Sequence, residues 1–204
     1  MTARVEAVPR AVLDANVLLQ AALRDTLLRA AEAALYVPYW GPTILAEVEH
    51  ELPRLIARHT DAVQRAAHLV NQLQLAFPRA LVNADLALAP MELVGLASGQ
   101  IDPGDAHVVA AALAAHASVI VTENVRHFPA TALASVGVVA VTADQFLLRL
   151  WKRVPQEIIA VLEEQGAALH PPRSREALLG TLFRGAPKFV AAIQSHQHPD
   201  RIQP

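Results

Sequence analysis

Short apolar runs separated by longer amphipathic stretches occupy the first three quarters of the chain. Four of the runs are short and largely apolar, which predicts buried strands over residues 10–13, 35–39, 118–122 and 137–141. The stretches between them have the apolar spacing of helices. Strands that alternate with helices favour a parallel sheet with right-handed crossovers, so the predicted fold class is α/β.

Proline, glycine and capping residues set the limits of the predicted elements. Helices are predicted over residues 17–34, 43–52, 54–76, 92–97 and from 102 or 104 to 115, with a short extended piece over 80–83. Pro38 predicts that the second strand lies at an edge of the sheet or ends there. Thr43 is the predicted cap of its helix, and Pro53 is its predicted end.

Beyond Leu150 the pattern contains helical stretches and no strand signal. Helices are predicted over residues 156–165, 176–183 and 187–195. Apolar residues recur at helical spacing there, namely Leu178, Leu179, Leu182, Phe183, Val190 and Ile193. Because such a stripe must be buried, we expect it to pack on the core or on a partner chain. The predicted domains are a core domain over 8–148 and a helical C-terminal extension over 149–204.

Composition narrows the class of protein. The chain has no cysteine, which excludes disulfides and thiolate sites. It lacks both a run of about twenty apolar residues and the pattern of a signal peptide, so we expect a cytoplasmic protein that does not span a membrane. The net charge of -2 is unevenly spread: residues 1–148 hold 9 basic and 14 acidic residues, and residues 149–204 hold 8 and 5. The acidic excess therefore lies in the core domain.

Acidic and amide side chains follow the predicted strands or begin the helices beside them. Asp14 directly follows the first strand, Asn124 follows strand 118–122, and Glu47 lies one turn into the helix after the second strand. Asp105 lies in a first helical turn, where the helix dipole favours a carboxylate. Ligands of parallel α/β sheets bind at the carboxyl ends of strands, and oxygen ligands suit Mg²⁺ or Mn²⁺. The sequence therefore predicts a site for one of these cations.

Each of these residues also has an ordinary structural interpretation. The alternatives are a turn or helix cap for Asp14, Asp102 and Asp105, a solvated helix face for Glu47, and a left-handed turn for Asn124. Taken singly, none of the residues decides between structure and function. Their joint occurrence at the ends of these elements favours a functional site.

Four segments carry a more specific signal: Leu-Asp-Ala-Asn-Val-Leu at 13–18, Ile-Leu-Ala-Glu-Val at 44–48, Asp-Pro-Gly-Asp-Ala-His at 102–107, and Val-Ile-Val-Thr-Glu-Asn at 119–124. Together they resemble the successive motifs of PIN-domain proteins, particularly the VapC-like toxin branch. The resemblance covers roughly residues 8–148, and the tail is similar to the C-terminal extension of some members. It implies a three-layer α/β/α PIN-like nuclease domain with a parallel sheet, plus a C-terminal helical extension. It also implies an Mg²⁺- or Mn²⁺-dependent endoribonuclease that is the toxin of a type II toxin-antitoxin system and binds a cognate antitoxin.

The resemblance also implies roles for individual residues. Asp14, Glu47 and Asp105 correspond to the metal-binding carboxylates, and Asn124 stands where many members have a fourth aspartate. An amide contributes no charge, so the number of bound metal ions stays open. Asn16 and Thr122 are implied to orient these ligands through hydrogen bonds. Two further candidates come from position in the sequence: Asp102, the acidic neighbour of Asp105, and Arg126, which lies just past Asn124 and could contact substrate.

The basic residues and the partners have open alternatives. Phosphate contact or a solvated loop is predicted for Arg126 and His127, packing or capping for His107, and RNA contact or a solvated helix end for Arg149, Lys152 and Arg153. The partners that the resemblance implies are RNA and an antitoxin, and it is compatible with a homodimer.

Other classes of α/β protein fit the sequence less well. No glycine-rich turn follows the first strand, and the chain lacks the lysine of a P-loop or of an aspartyl-phosphate phosphatase near the site. The rival interpretation is a catalytically weakened PIN-like module that acts by binding RNA or a protein.

Overall fold

The computed structural model describes residues 8–83 and 101–197, and a parallel sheet lies between helical layers within them. The strands are β1 (Arg10–Leu13), β2 (Val37–Tyr39), β3 (Val119–Val121) and β4 (Val139–Val141), in the spatial order β2-β1-β3-β4. All three strand pairings are parallel. The predicted fold class, a three-layer α/β/α domain with a parallel sheet followed by C-terminal helices, is confirmed.

Ten α-helices flank the sheet in the described part of the chain. They are α1 (Ala15–Leu18), α2 (Ala21–Glu32), α3 (Pro42–Leu55), α4 (Ala62–Ala76), α5 (Ala106–Ala114), α6 (Ala130–Leu133), α7 (Ala143–Arg153), α8 (Pro155–Ala168), α9 (Arg175–Leu182) and α10 (Pro187–Gln197). The helix predicted over 92–97 lies outside the described residues. Of the helices that are described, none is long and apolar enough to cross a membrane.

The strand predictions agree closely with the structure. β1 has the predicted limits, and β2 lies at one edge of the four-stranded sheet, as Pro38 predicts. β2, β3 and β4 are each shorter than predicted. Leu81, in the predicted extended piece, forms an isolated parallel bridge with Trp40. Short buried strands of this kind are recognisable because both faces of a parallel sheet are covered and the residues are apolar throughout.

The prediction of one continuous helix over residues 17–34 is wrong, because the segment is divided into α1 and α2. Gln20 has an extended backbone, and its side-chain amide donates to Asn16 O at 3.2 Å. Arg24 Nη1 donates to Leu18 O at 2.5 Å. Side chains therefore satisfy carbonyl groups that α1 leaves open at its end, and the chain turns without glycine or proline.

Two predicted limits of the next helix are also wrong. Gly41 is the residue before α3 and Pro42 begins the helix, so Thr43 is not its cap. Pro53 lies inside α3, which ends at Leu55. Proline removes one backbone donor, but Ile56 N still donates to Leu52 O at 3.1 Å and closes the last turn. The helix predicted to start at residue 54 begins at Ala62.

The C-terminal helices pack on the core, as the apolar stripe predicts. The buried stripe residues belong to the same hydrophobic cluster as β1, and they are Leu178, Leu179, Leu182, Val190 and Ile193. Phe183 is an exception, because it is 55% exposed. A buried polar pair adds to the packing, since Thr26 Oγ1 of α2 donates to Gln165 Oε1 of α8 at 2.7 Å. The predicted division at residue 148 lies within α7 and stays a prediction.

Asp144, in the first turn of α7, connects α7 to α10. Its carboxylate is buried and accepts hydrogen bonds from Phe189 N at 2.8 Å and Lys188 N at 3.3 Å. These donors belong to the first turn of α10, where backbone N–H groups lack partners within the helix. A carboxylate at that position both accepts from the donors and interacts favourably with the helix dipole.

We predict that Asp144→Ala lowers the free energy of unfolding by about 1–3 kcal/mol, because it leaves buried donors without an acceptor. Chemical denaturation measures the change. The matched control is Asp61→Ala, which removes an exposed carboxylate paired with Arg65 and should lower the free energy of unfolding much less, because exposed ion pairs contribute little to stability. Equal losses in the two variants would contradict a specific role for Asp144 in holding α10.

Candidate active site

Asp14 is the first residue after β1 and lies at the carboxyl end of the sheet. Its backbone N–H donates to Val121 O at 3.0 Å, so the pairing of β1 with β3 continues to this residue. Asp14 Oδ1 accepts from Ala15 N at 2.7 Å, which confirms the capping interpretation. The residue is only 6% exposed, and buried carboxylates are rare unless other groups compensate for the loss of water.

Two polar side chains provide that compensation. Asp14 Oδ2 accepts hydrogen bonds from Thr122 Oγ1 at 2.6 Å and Asn16 Nδ2 at 2.7 Å. Thr122 is fully buried, and its hydroxyl oxygen accepts from Asn124 N at 3.0 Å. Asn16 Oδ1 accepts from Glu123 N at 3.0 Å. The Asp14 carboxylate is therefore held in one orientation by groups at the ends of β1 and β3.

Glu47 extends from α3 toward α5. Its Oε1 lies 3.3 Å from His107 Nε2, within ion-pair distance, although the geometry is not that of a hydrogen bond. The Glu47 side chain is 41% exposed, and that of His107 is 18% exposed. The predicted alternative of a purely solvated helix face does not describe Glu47, because its carboxylate faces this imidazole.

Asp105 directly precedes α5 but does not cap it, since its side chain accepts no hydrogen bond from the helix backbone. Its Oδ2 instead lies 3.0 Å from His127 Nδ1. Asp102 does act as a cap, because Asp102 Oδ1 accepts from Gly104 N at 2.8 Å at the start of a 3₁₀ turn. The capping alternative is thus confirmed for Asp102 and wrong for Asp105.

Asn124 and Arg126 lie at the solvent side of this region. Asn124 is exposed, and its φ of -95° excludes the left-handed turn that was its structural alternative. Arg126 is exposed as well, and its Nε lies 3.3 Å from His127 Nε2. Arg126 is therefore linked to the Asp105 carboxylate through one imidazole.

Burial and neighbouring charges alter the acidity of two carboxyl groups. Burial raises the pKa of Asp14, the hydrogen bonds from Thr122 and Ala15 oppose this rise, and the charge of Asp105 adds to it. Burial also raises the pKa of Glu47, with further upward contributions from Asp14 and Asp105 and a downward one from His107. The three carboxylates are thus close enough to influence one another. A cation among them would relieve both the burial cost and the repulsion.

The structure brings part of the predicted constellation together. Asn16 and Thr122 contact Asp14 directly, whereas Glu47 and Asp105 face histidines. Within residues 8–83 and 101–197, no three acidic or histidine side chains converge as they would around a metal ion. The donors nevertheless suit a hard cation by chemistry, since they are carboxylate oxygens. Asp14, Glu47 and Asp105 therefore fit such a cation by their chemistry, and in this structure Glu47 and Asp105 face His107 and His127.

Three contacts in this region were not predicted from the sequence. They are the approach of His107 to Glu47, the contact of His127 with Asp105, and the hydrogen bond from Ala143 N to Glu123 Oε1 at 3.2 Å. The last ties the end of β3 to the start of α7. Glu123 directly follows Thr122 at the end of β3, and this position is the one sequence feature that could have indicated its contact with Ala143.

Comparisons with known proteins agree with this architecture. Residues 10–126 match the family model described as PIN domain, and residues 143–195 match the one described as VapC50 C-terminal domain. A protein of Mycobacterium tuberculosis (strain H37Rv) named "Putative ribonuclease VapC50" is 37% identical over 90 residues, which are 43% of this chain and 52% of that protein. The alignment thus spans about half the length of that relative. No solved structure matches the chain.

The chain belongs to the PIN-domain family, because the PIN model matches more than half of it and the fold and strand-end residues agree with the motifs. It is VapC-like within that family. Its C-terminal helices correspond to the C-terminal domain matched over residues 143–195.

Proposed function

We propose that this protein is an Mg²⁺- or Mn²⁺-dependent endoribonuclease and the toxin of a type II toxin-antitoxin pair. The observation that carries the proposal is the buried Asp14 carboxylate at the carboxyl end of β1, which Asn16 and Thr122 hold in one orientation. Burying an anion in this way is costly for a purely structural cap. Similarity to a relative named as a ribonuclease supports the choice of RNA as substrate.

Asp14, Glu47 and Asp105 are the proposed metal ligands. When bound there, an ion of this kind lowers the pKa of water and neutralises charge on a phosphodiester. Glu47 and Asp105 must rotate away from their histidines to join Asp14 at one point. The two side chains are partly exposed, and ion pairs with that exposure are worth about 1 kcal/mol or less, so the rotation is inexpensive.

The surrounding polar residues have positioning roles in this proposal. Asn16 and Thr122 fix the Asp14 carboxylate, and their hydrogen bonds would persist when the ion binds. Asn124 offers an uncharged amide at the mouth of the site, where it can orient water or substrate. Asp102 shapes the turn that carries Asp105, and Arg126 is exposed where an incoming phosphate could meet it.

His107 and His127 act as partners of Glu47 and Asp105 in the metal-free protein. His107 offsets part of the repulsion among the acidic groups, since it lowers the pKa of both Glu47 and Asp14. We therefore infer that neither histidine is needed as the base that activates water, since an ion bound to the carboxylates supplies that activation.

The test is incubation of the purified protein with assorted RNAs in Mn²⁺, Mg²⁺ or EDTA. The expected outcome is internal cleavage of at least one RNA with Mn²⁺ or Mg²⁺ and none with EDTA. RNA that binds yet stays intact under all three conditions would contradict the nuclease proposal. It would favour the second candidate, a binding module, which is motivated by the uncharged Asn124 and by carboxylates that do not converge.

The proposed partners follow from the toxin assignment. A cognate antitoxin is expected, and a small DNA-binding protein encoded by the neighbouring gene would support it. The proposed place of action is the cytoplasm, because the proposed substrate is cellular RNA. Self-association is compatible with the proposal and can be measured by sedimentation.

A further inference from the structure

A groove of about 830 Å³ runs beside β4, and its rim carries four cations. Arg126 comes from the loop after β3, Arg149 and Lys152 lie one turn apart on α7, and Lys188 lies in the first turn of α10. Lys152 and Lys188 are the only lysines in the chain. We propose that this surface, which we name the basic groove, holds the single-stranded RNA that enters the active site.

Little of the charge of the basic groove is compensated within the described residues, although Arg126 Nε donates to His127 Nε2 at 3.3 Å. All four cationic side chains are exposed, and none forms an ion pair with a carboxylate of the described residues. The part of the groove that the structure describes has no acidic residue in its lining, and its floor is largely apolar. Unpaired cations that surround an apolar floor suit a strand whose phosphates are charged and whose bases are flat and apolar.

Arg153 illustrates the difference between a structural and a free cation. It is half-buried, and its guanidinium donates to Leu35 O, so it serves the packing of α7 against the core. Arg149 and Lys152, in the same helix, form no such hydrogen bond with residues 8–83 or 101–197, and both line the basic groove. The sequence alone could not separate these three residues, because all of them lie at one helix end.

The basic groove is continuous with the candidate active site. Arg126 lines the groove, and its Nε lies 3.3 Å from an imidazole nitrogen of His127, whose other ring nitrogen lies 3.0 Å from Asp105. The carboxylates of the site repel RNA phosphates, so nearby cations are needed to hold a strand across it. Three of the four cations lie within residues 143–195, the part that matches a separate C-terminal domain. The inference thus gives the C-terminal helices a role in substrate binding, and it rests on the proposed function.

An extended peptide is a weaker candidate occupant. β4 is the edge strand of the described sheet and is three residues long. Val139 N donates to Ser118 O and Val141 O accepts from Thr122 N, so these groups point toward β3. Only Ala140 faces outward with its backbone groups, which would give an added strand few hydrogen bonds. The observations therefore favour a nucleic acid strand over strand addition by a protein.

The experiment measures binding of a fluorescent single-stranded RNA of about 20 nucleotides by anisotropy in EDTA at several salt concentrations. The test variant is Lys152→Gln with Lys188→Gln. Its matched control is Arg58→Gln with Arg79→Gln, which removes the same charge from two exposed residues outside the groove. Lys152→Arg with Lys188→Arg keeps the charge and should behave as wild type.

The test variant should bind RNA about tenfold more weakly at 0.15 M salt, and its log-log salt slope should be shallower by about 1.4, because each phosphate contact with a single strand contributes about 0.7. The control should match wild type. In cleavage assays, the test variant should raise KM and leave kcat unchanged. Equal losses in both double variants, or no loss in either, would overturn the inference. Because binding is measured in EDTA, groove-dependent binding without cleavage in Mn²⁺ would reject only the proposed function.

Discussion

Replacing Asp105 with asparagine is expected to reduce RNA cleavage at least about 100-fold. Losing one carboxylate ligand removes several kcal/mol of charge stabilisation from a metal site, and each 1.4 kcal/mol is about tenfold in rate. The fold should survive, because Asp105 makes no capping hydrogen bond and its contact with His127 is one that an amide oxygen can also accept. Single-turnover cleavage of a defined RNA in Mn²⁺ measures the effect.

Asp105 is a cleaner choice than Asp14 for this measurement. Asp14 Oδ2 accepts from both Asn16 Nδ2 and Thr122 Oγ1. An asparagine at position 14 would turn an NH₂ group toward one of these donors or toward Ala15 N. Its loss of activity would therefore combine a missing charge with a disturbed site.

The matched control is Asp25→Asn on α2. Asp25 is a partly exposed carboxylate that pairs with Arg29 at 3.0 Å, and such pairs contribute little to stability. It should cleave RNA as wild type does. Wild-type cleavage by Asp105→Asn, with melting temperatures unchanged, would remove Asp105 from the proposed ligand set.

The same variants have an expected effect in cells. Expression of the wild-type chain without an antitoxin should arrest growth, and Asp105→Asn should relieve the arrest at equal protein level. Arrest by both proteins would show that the harm does not arise from the proposed hydrolysis.

The sequence predicts most of the fold because the strands are short, apolar and bounded by polar residues. β1 is predicted to the residue, and Pro38 identifies the edge strand through its missing backbone donor. The helix errors have a different origin. The turn between α1 and α2 depends on side chains of Gln20 and Arg24 that bond backward to carbonyl groups, and no residue type there marks a break.

The sequence predicts which residues belong to the candidate site better than it predicts which side chains contact one another. Asp14 and Thr122 follow neighbouring strands, so the order of the elements already implies that they lie close together. The histidine contacts of Glu47 and Asp105 join residues that are 60 and 22 positions apart, and they depend on side-chain rotation. A sequence pattern therefore predicts the position of the backbone more readily than the orientation of a flexible carboxylate side chain.

The contacts that anchor the C-terminal helices could not be predicted from the sequence either. The apolar stripe predicts that these helices are buried, but it does not identify the surface that covers them. Asp144 provides part of that information, since its buried carboxylate accepts from the first turn of α10. In the sequence this residue resembles any acidic residue in the first turn of a helix.

Mn²⁺ is expected to raise the melting temperature of the wild-type protein by about 5–10 °C at a concentration one hundred times its dissociation constant. A ligand that binds only the native state stabilises it by about 2.7 kcal/mol at that excess, and each kcal/mol corresponds to about 2–4 °C for a chain of this size. Asp105→Asn and Glu47→Gln should respond much less at the same Mn²⁺ concentration. Thermal unfolding with Mn²⁺, with EDTA, and with NaCl of equal ionic strength measures the shift.

This measurement separates a metal site from a cluster of carboxylates that only pairs with histidines. If Glu47 and Asp105 stayed paired with His107 and His127, neither carboxylate would contribute to Mn²⁺ binding. The melting temperatures of wild type and both variants would then shift equally. If the carboxylates are ligands, the ion displaces the imidazoles, because it relieves the burial cost and the repulsion that together raise the pKa of Asp14 and Glu47. Asp25→Asn should keep the full wild-type shift, since its carboxylate lies outside the proposed ligand set. A large shift that disappears in Asp105→Asn and persists in Asp25→Asn is therefore the result expected of a metal site.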